Sequence, residues 1–550
     1  MIGGTAPSGR AAPSGGADLS EPVVRIDDLT VALPLGGDRA FAVQNVTFSV
    51  AAGQTLCLVG ESGSGKSIVA QAIMGMLPRG LPVVSGLVTF QNAALPGQRD
   101  PAFQRLRSAQ MAMVFQDAGA SLDPLQRVGH QLEEIALVHG VPRTERKARV
   151  MDMLRAVKLP DPDRIARSYP HQLSGGQAQR IVIAGALLLN PALLIADEPT
   201  TALDVTTQAE ILSLIAELQR ERGTAVLFIT HDFGVVSDIA DDIVVMKEGQ
   251  VVEAGEAATL LSAPAHPYTQ NLLAAATQAG VARDTAASDA ILTAENLHLT
   301  YRTGGFFNRR DILAVQDVSL TLGRGRTIAV VGESGSGKSS LARCLLRLED
   351  LQSGTIRFDG QDITDLKGPA LQALRKRIQV VLQDPFSALD PRQTIRSAIA
   401  EGPIIHGMPR DEARHRAEEL LSLVGLSPQS ADRHPHEFSG GQRQRICIAR
   451  ALALEPDVLI ADEAVSALDV SIQAQVLDLF RDLQRRLGFA MVFITHDLRV
   501  AAAIADDVIV MKDGQIVETG PAATLFADPQ QPYTRALINA APGKSLKAVA

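Results

Sequence analysis

The chain has 550 residues, which is more than one hydrophobic core usually organises, so at least two domains are expected. Its 46% hydrophobic and 21% charged residues are ordinary for a globular protein, and its formal charge of −9 argues against a nucleic-acid partner, which favours a basic face. The three cysteines, Cys57, Cys344 and Cys447, form no C-x-x-C pair, which argues against a disulfide scaffold, a zinc ribbon or an iron–sulfur cluster.

Composition divides the chain into two long units. Residues 1–20 are rich in Gly, Ala, Ser and Pro and lack a long apolar run, so we interpret them as a flexible tail and not as a signal peptide. We assign the first unit to residues 21–276 and the second to residues 291–550. The small, polar residues 277–290 between them are interpreted as a linker.

Each unit alternates apolar strands with helical patterns, which predicts an α/β domain with a mainly parallel sheet and crossover helices. The clearest strands are predicted at Thr55–Val59, Leu193–Ala196 and Ala225–Ile229 in the first unit, and at Thr327–Val331, Val458–Ala461 and Met491–Ile494 in the second. Late in each unit, a hairpin is predicted around Glu248-Gly249 and around Asp513-Gly514.

The most apolar stretch, Ile181–Ala196, is not predicted to span a membrane. It is broken by Asn190-Pro191 and is shorter than the ~20 residues that a spanning helix needs. Its counterpart in the second unit carries charged residues, Arg450 and Asp457 among them. The sequence therefore predicts a helix followed by a buried strand. If the protein acts at a membrane, it is expected to do so from the membrane surface and not by crossing the bilayer.

The octapeptide GESGSGKS occurs once in each unit, at Gly60–Ser67 and at Gly332–Ser339. Each copy follows a predicted strand and precedes an amphipathic helical pattern, which is the context that a phosphate-binding P-loop requires. Glycines let the backbone wrap around phosphates with its N–H groups pointing inward, and the helix N-terminus adds positive potential. The duplication therefore predicts two nucleotide-binding units.

Within each P-loop the lysine is expected to reach the β- and γ-phosphates, and the last serine is expected to hold Mg²⁺. The residues expected to bind ATP in these two loops are Gly60, Glu61, Ser62, Gly63, Ser64, Gly65, Lys66 and Ser67, and Gly332, Glu333, Ser334, Gly335, Ser336, Gly337, Lys338 and Ser339.

Four apolar residues lead into an acidic pair in both units, Asp197-Glu198 and Asp462-Glu463. The first carboxylate of such a pair is expected beside Mg²⁺, and the second is placed to orient or deprotonate an attacking water. Helix caps or solvated strand ends are the alternative interpretation. The upstream phosphate loops favour the catalytic one.

The segments LSGGQ at Leu173–Gln177 and FSGGQ at Phe438–Gln442 resemble the signature sequence of the ATP-binding cassette (ABC) superfamily. Each precedes a long helical pattern, so it presents a serine hydroxyl, backbone N–H groups and a helix dipole to an anion. The resemblance implies that this anion is the γ-phosphate of the nucleotide held by the opposite domain. The residues concerned are Ser174, Gly175, Gly176, Gln177, Ser439, Gly440, Gly441 and Gln442.

Further motifs of the same superfamily follow in the same order. Gln116 and Gln383 match its Q-loop, which implies contact with Mg²⁺, with the γ-phosphate and with the membrane partner. Asp204 and Asp469 match the D-loop, which crosses between domains. The switch histidines, His231 and His496 in two ITHD segments, are expected to contact the γ-phosphate. With Ser67, Asp197, Ser339 and Asp462, the two glutamines complete the implied Mg²⁺ residues.

The adenine usually stacks on an aromatic side chain upstream of the P-loop. Tyr301 fits that position in the second unit, whereas the aligned position in the first unit is Leu33. Phe41 is an alternative there. Because an aromatic pair adds ~0.5–1.5 kcal/mol beyond burial, the first site is expected to bind the base less tightly.

The resemblance implies two tandem RecA-like nucleotide-binding domains, each with an antiparallel β subdomain and a helical subdomain that carries SGGQ. The two domains are expected to pair head to tail over two ATP molecules within one chain, and ATP binding is expected to drive their closure. The cofactors implied are ATP and Mg²⁺. Although relatives often carry a C-terminal cysteine cluster, this chain has none, so no iron–sulfur cluster is expected.

Several segments resemble the dipeptide, oligopeptide and nickel importers, among them Phe115–Pro124, Leu382–Arg392, His266–Thr269 and Gln531–Thr534. The resemblance implies an ATPase that energises import through two integral-membrane permease subunits, with a solute-binding protein as an indirect partner. It also implies a peripheral location on the cytoplasmic face of the inner membrane.

The alternative is a twin-cassette protein that acts on ribosomes or DNA. The short, nearly neutral linker and the absence of zinc-module cysteines argue against it. Peptides are the expected cargo. Nickel chelates, glutathione and opines remain open, because specificity in such importers lies in other chains.

Overall fold

The structure is a computed structural model that describes residues 21–34, 39–97, 100–200, 203–277, 288–303, 310–466 and 468–543. We call residues 21–277 cassette 1 and residues 288–543 cassette 2. The predicted tail, residues 1–20, and residues 278–287 of the predicted linker lie outside the described residues, so the division at residues 277–290 stays a prediction.

Cassette 1 contains ten strands and eleven α-helices among its described residues, with one 3₁₀ turn at Pro170–Gln172. The strands are β1 Pro22–Ala32, β2 Phe41–Ala51, β3 Thr55–Val59, β4 Val83–Phe90, β5 Ala93–Ala94, β6 Met111–Val114, β7 Leu193–Asp197, β8 Ala225–Thr230, β9 Asp242–Lys247 and β10 Gln250–Glu256. The helices are α1 Lys66–Ile73, α2 Pro101–Gln110, α3 Ala118–Ser121, α4 Val128–Val138, α5 Arg143–Ala156, α6 Pro162–Arg167, α7 Gly175–Leu187, α8 Val205–Arg222, α9 Phe233–Ile239, α10 Ala257–Ser262 and α11 Pro267–Thr277.

Cassette 2 repeats this order, with 3₁₀ turns at Pro428–Asp432 and Pro435–Glu437. Its strands are β11 Ala290–Thr303, β12 Arg310–Gly323, β13 Thr327–Val331, β14 Ser353–Phe358, β15 Gln361–Asp362, β16 Ile378–Val381, β17 Val458–Asp462, β18 Ala490–Ile494, β19 Asp507–Lys512 and β20 Gln515–Pro521. Its helices are α12 Lys338–Leu345, α13 Gly368–Arg377, α14 Pro385–Ala388, α15 Ile395–Ile405, α16 Arg410–Leu423, α17 Gly440–Leu452, α18 Val470–Leu487, α19 Leu498–Ile504, α20 Ala522–Ala527 and α21 Pro532–Ala540.

Each cassette has two sheets with the same strand order. In cassette 1 the six-stranded sheet runs β10-β9-β3-β8-β7-β6, parallel except for the β9–β10 hairpin, and the four-stranded sheet runs β2-β1-β4-β5 and is antiparallel. In cassette 2 the orders are β20-β19-β13-β18-β17-β16 and β12-β11-β14-β15. The predicted strands, the mainly parallel sheet, the hairpins and the antiparallel β layer are confirmed.

The core of each cassette lies on both faces of its six-stranded sheet. Strand β3 is buried along its whole length, as expected for a parallel strand covered on both faces. Because successive side chains point to opposite faces, Leu56 and Leu58 pack with the antiparallel sheet and α1, whereas Cys57 and Val59 pack with the helical side. This strand therefore holds the P-loop at its carboxyl end on a fixed base.

The apolar stretch Ile181–Ala196 folds as predicted, with the end of α7 followed by the buried strand β7. Within the described ranges, no helix combines the length and the apolar character that crossing a bilayer requires.

Candidate functional site

The P-loops join buried strands β3 and β13 to helices α1 and α12. At Gly60 a Cβ atom would lie 2.2 Å from the carbonyl oxygen of Met246, and at Gly332 it would lie 2.2 Å from that of Met511. Only glycine allows such an approach between two backbones. Each loop is thus anchored against the neighbouring strand of its sheet.

The P-loop lysines are buried and point back into their loops. Lys66 Nζ donates to the carbonyl oxygens of Gly60 and Glu61 at 2.7 and 2.9 Å, and Lys338 makes the corresponding contacts in cassette 2. Burial lowers the pKa of Lys66, against the opposing charge of Glu198 and other nearby carboxylates. Each ammonium group is therefore fixed where a bound phosphate chain would complete its hydrogen bonds.

The last serine of each P-loop lies beside the first acidic residue. Ser67 Oγ donates to Asp197 Oδ1 at 3.3 Å, and Ser339 Oγ donates to Asp462 Oδ1 at 3.2 Å. Burial raises the pKa of both aspartates. A hydroxyl and a carboxylate at the same point supply the oxygen ligands that Mg²⁺ prefers, so this pair of residues fits the implied ion.

The second acidic residue of each pair has an unusual backbone. Glu198 and Glu463 adopt left-handed conformations with φ of 46° and 49°, which typically costs ~1–3 kcal/mol for a residue with a side chain. Their N–H groups donate at 2.9 Å to the carbonyl oxygens of Ile229 and Ile494 on the adjacent strands. The sheet therefore holds both glutamates in a strained turn, which the sequence pattern did not reveal.

The Q-loop glutamine and the switch histidine meet on this glutamate. In cassette 1, Gln116 Nε2 donates to Glu198 Oε2 at 3.2 Å, and His231 Nδ1 lies 3.0 Å from Glu198 Oε1. Gln116 thus contacts Glu198, and not the Ser67–Asp197 pair with which it was grouped as a magnesium residue.

In cassette 2, Gln383 Nε2 donates to Glu463 Oε2 at 2.8 Å, and His496 Nδ1 lies 3.4 Å from Glu463 Oε1. Burial opposes the charged form of each histidine, but the hydrogen bond and charge of its glutamate outweigh burial and raise the pKa of His231 and of His496. Burial likewise opposes ionisation of Glu463, yet His496 lowers the pKa of that carboxyl.

A cavity of about 570 Å³ lies above the P-loop of cassette 2. Tyr301, Ile312 and Leu313 form its apolar wall, and Leu203 and Asp204 of cassette 1 reach its rim. Tyr301 therefore lines the cavity above this P-loop, and its contact with adenine stays a prediction.

In cassette 1, the two candidates for the adenine contact differ in position. Leu33 is partly buried and packs against the core around α1. Phe41 opens β2 directly before Ala42, whose carbonyl oxygen approaches Gly65 of the P-loop.

The two cassettes contact each other through their P-loops and D-loops. Asp469 Oδ2 and Oδ1 accept from Ser62 N and Ser62 Oγ at 3.1 and 2.9 Å. Ser471, near Asp469, also donates to Glu61 of the same P-loop. In the opposite direction, Thr206 Oγ1 of cassette 1 donates to Glu333 Oε1 of cassette 2 at 2.8 Å.

The signature segments lie at the N-termini of α7 and α17. Ser174 Oγ accepts from Gln177 N at 3.3 Å while Ser174 N donates to Gln177 Oε1 at 3.2 Å, and Ser439 and Gln442 form the same capping box. Between described residues these hydrogen bonds stay within one cassette. The D-loop regions, and not the signature serines, contact the opposite P-loops.

The tyrosines of HPYT and QPYT contact the P-loops. From the sequence, these two segments had indicated only a resemblance to a family of importers. The Tyr268 hydroxyl accepts from Glu61 N at 3.3 Å, and the Tyr533 hydroxyl accepts from Glu333 N at 3.4 Å. Lys247 and Lys512 lie 5.1 and 4.7 Å from the centres of these rings. Tyr268 and Tyr533 are separated by the same number of positions as His231 and His496. This shared spacing was the sequence signal that could have linked the tyrosines to the site.

Comparison with known proteins agrees with this geometry. Residues 43–201 and 315–466 both match the ABC transporter family. Residues 252–310 and 517–546 match the C-terminal region of oligopeptide/dipeptide transporters. The chain therefore belongs to the ABC transporter family, as the motifs predicted, and it carries the ATPase cassette of that family twice.

Curated relatives match along most of their length. A glutathione import ATP-binding protein of Pectobacterium atrosepticum is 48% identical, over 94% of this chain and 89% of its own. The proteins of the same name in Salmonella typhimurium and Escherichia coli are 47% and 46% identical, over 95% and 94% of this chain and 90% and 89% of theirs.

Proposed function

We propose that this chain is the ATP-hydrolysing subunit of an importer and that each of its two ATP sites is completed by the opposite cassette. The observation that carries the proposal is the reciprocal contact of each P-loop with the opposite D-loop region. Ser62 meets Asp469, and Glu333 meets Thr206. A nucleotide seated in either P-loop therefore lies at the boundary between the cassettes.

Within each site we propose a division of labour. Lys66 and Lys338 bind the β- and γ-phosphates, and Ser67 with Asp197 and Ser339 with Asp462 hold Mg²⁺, with Gln116 and Gln383 nearby. Bound Mg²⁺ would neutralise the charge of the phosphate oxygens.

Glu198 and Glu463 act as general bases toward the attacking water, and His231 and His496 orient them while facing the γ-phosphate. The hydrogen bonds that converge on each glutamate from its glutamine and its histidine support this role.

The signature helices supply the last contacts. The N-termini of α7 and α17 present backbone N–H groups. Their glycines Gly176 and Gly441 lie close to Thr207 and Ile472, which follow the D-loops of their own cassettes. We expect closure on ATP to bring Ser174–Gln177 onto the nucleotide at Gly332–Ser339, and Ser439–Gln442 onto the nucleotide at Gly60–Ser67.

The partners we propose are two integral-membrane permease subunits, with the chain bound peripherally at the cytoplasmic face of the inner membrane. An apolar groove of about 590 Å³ in cassette 1 supports this, because it runs beside the Q-loop and is lined by Phe115, Ile135 and Leu189 among others. Phe115 is 40% exposed. An amphipathic permease helix laid in this groove would sense movement of Gln116 directly.

The cargo we propose is glutathione or another short peptide. The name shared by the relatives, glutathione import ATP-binding protein, and the two matches to oligopeptide/dipeptide transporter C-terminal regions support it. Glutathione is itself a tripeptide, so it belongs to the expected cargo class. The same relatives favour import over action on ribosomes or DNA.

The test is uptake of labelled glutathione and of labelled dipeptides by cells that carry this chain with its permease and binding protein. We expect ATP-dependent uptake of glutathione that is lost in the Lys66→Ala/Lys338→Ala double variant. An Arg485→Ala variant, whose exposed side chain pairs with Asp482 of its own helix, serves as the control. Co-purification with ribosomes in place of permease chains would contradict the proposal.

A further inference from the structure

Arg499 lies between the two cassettes and is held by one carboxylate from each. It is the second residue of α19 in cassette 2. Its Nη1 and Nη2 donate to Asp232 Oδ1 and Oδ2 of cassette 1, both at 2.9 Å. Its Nη2 and Nε also donate to Asp497 Oδ2 and Oδ1 at 2.9 and 3.2 Å. Two forked ion pairs of this kind fix both the position and the plane of a guanidinium group.

The three charged groups are partly buried and stay ionised. Burial opposes ionisation of Asp232, but the charge and hydrogen bonds of Arg499 outweigh it and lower the pKa of that carboxyl to about 2. The same guanidinium lowers the pKa of Asp497, and the two carboxylates together raise the pKa of Arg499. The contact is therefore present across the whole physiological pH range.

The arrangement is one-sided, because the position equivalent to Arg499 in cassette 1 is Gly234. A Cβ atom at Gly234 would lie 2.8 Å from Arg499 Nη1 and 3.1 Å from the backbone of Pro542. The interface therefore has room for one arginine between the two aspartates and not for two. Gly234 has an ordinary helical backbone in α9. Glycine is therefore needed here to leave space for Arg499, and not to allow an unusual backbone conformation.

Each aspartate directly follows a switch histidine. Asp232 follows His231, which contacts Glu198, and Asp497 follows His496, which contacts Glu463. A continuous path of covalent neighbours and hydrogen bonds thus runs from one proposed general base, through Arg499, to the other. When nucleotide binding moves either histidine, the same forked ion pairs must move or break at the other one.

We propose that Arg499 is a positioning residue that couples the two ATP sites by fixing the two switch-histidine loops to one another. This inference rests on the proposed function of His231 and His496 at the two sites. It predicts that ATP binding at one site adjusts the geometry of the other, and that the arginine carries this effect regardless of which cassette supplies it. The reciprocal coupling is a free energy shared by the two sites.

The test moves the arginine from one cassette to the other. Full-length chain is prepared as Arg499→Gly, as Gly234→Arg, and as the double exchange Gly234→Arg/Arg499→Gly. The steady-state rate of ATP hydrolysis is measured against ATP concentration, and binding of a fluorescent ATP analogue is titrated in parallel. Melting temperatures report whether each variant folds.

We expect a Hill coefficient close to 2 in the parent chain and about 1 in Arg499→Gly, with the double exchange restoring most of the lost cooperativity. Gly234→Arg alone should also lose cooperativity, because two guanidinium groups would compete for the same carboxylates. Loss of rate without change in the Hill coefficient is what a merely structural role of Arg499 would give.

An unchanged Hill coefficient in a folded Arg499→Gly variant would overturn the inference, as would a parent chain without cooperativity. If Arg499→Gly does not fold, the double-exchange variant provides the test. A double-exchange variant that folds but hydrolyses ATP without cooperativity would also overturn the inference. If the parent binds nucleotide without hydrolysing it, the proposed ATPase activity fails, while cooperativity of the fluorescent titration still tests the coupling.

Discussion

The two D-loops show how the cassettes differ inside one scaffold. Asp204 of cassette 1 stays at the start of its own helix, where it accepts from Thr206 Oγ1 at 2.7 Å and from Thr207 N and Oγ1, both at 3.0 Å. Asp469 of cassette 2 has no such local cap and reaches Ser62 across the interface.

Two side chains differ at this point, because Thr206 donates to Asp204 whereas its counterpart Ser471 donates to Glu61. Thr207, whose hydroxyl binds Asp204, is replaced by Ile472 in the second copy, so Asp469 loses a local donor and turns to Ser62 of the opposite P-loop. Gly234 and Arg499 form a second such exchange. Duplication therefore keeps the backbone scaffold while some polar side chains at the shared interface diverge, although the equivalent pairs Thr206–Glu333 and Ser471–Glu61 are kept on both sides.

The largest expected effect comes from the two candidate general bases. Substituting them tests whether the two ATP sites use the same chemistry in spite of these differences in contacts. Glu198→Gln and Glu463→Gln should each lower ATP turnover by ~10²–10⁴-fold at the altered site if the carboxylate acts as general base. Nucleotide binding should survive, because the amide retains the shape of the side chain. Single-turnover hydrolysis in a background with the other P-loop lysine changed to alanine measures each site separately.

Glu221→Gln, at the exposed end of α8, is the control for these variants and should leave turnover unchanged. Full activity in both single variants and in the double variant would remove the assignment of Glu198 and Glu463. A large effect at one site alone would show that the two cassettes differ in chemistry as well as in contacts.

A smaller effect is expected from the D-loop contact. Ser62→Ala removes the hydroxyl donor to Asp469 and keeps the backbone N–H donor, and a hydrogen bond to a charged group is worth ~1.5–3 kcal/mol. The ATP concentration for half-maximal hydrolysis should therefore rise about tenfold, at the low end of that range.

Ser334→Ala is the matched control in the other P-loop and should have less effect, because Asp204 is engaged with its own helix. Ile472→Thr restores the local donor to Asp469 and should weaken the contact with Ser62. Equal responses to Ser62→Ala and Ser334→Ala would show that the D-loop asymmetry has no functional consequence.

The adenine contact should give a difference of a few fold. Tyr301→Leu makes the second site resemble the first and should weaken its affinity for ATP by ~0.5–1.5 kcal/mol. Leu33→Tyr should strengthen the first site by a similar amount. Titration of a fluorescent ATP analogue in single-site lysine variants measures both, and equal affinities of the two sites in the parent chain would contradict the prediction.

The smallest effect concerns pH and the two histidine–glutamate pairs. Each histidine has its pKa raised by its glutamate in the folded state. The histidine–glutamate pair therefore stabilises the folded protein fully below the unfolded-state pKa of about 6.5, and this stabilisation is lost as pH rises through the raised folded-state pKa. The free energy of unfolding measured in urea should therefore fall as pH increases above about 6.5.

His231→Gln and His496→Gln should each flatten this slope. The effect of His231→Gln should be the larger, because His231 lies 3.0 Å from its glutamate whereas His496 lies 3.4 Å away. A slope unchanged in both variants would show that other groups control this part of the pH dependence.

The motif order was sufficient to predict most of the candidate site. P-loops, acidic pairs and switch histidines follow predicted strands, and the carboxyl ends of parallel strands meet at one edge of a sheet, so their convergence was predictable. The strained backbone of Glu198 and the hydroxyl of Tyr268 on the P-loop were not, because both depend on where distant strands and helices come together.

The sequence by itself determined the duplication, the α/β fold of each cassette and the candidate phosphate-binding, acidic and histidine residues, because these follow from local pattern and spacing. Only the tertiary structure decided which residues join the cassettes. Ser62 and Asp469 are 407 positions apart, and Asp232 and Arg499 are 267 apart. Such contacts depend on how two folded surfaces meet, and no local periodicity encodes that meeting.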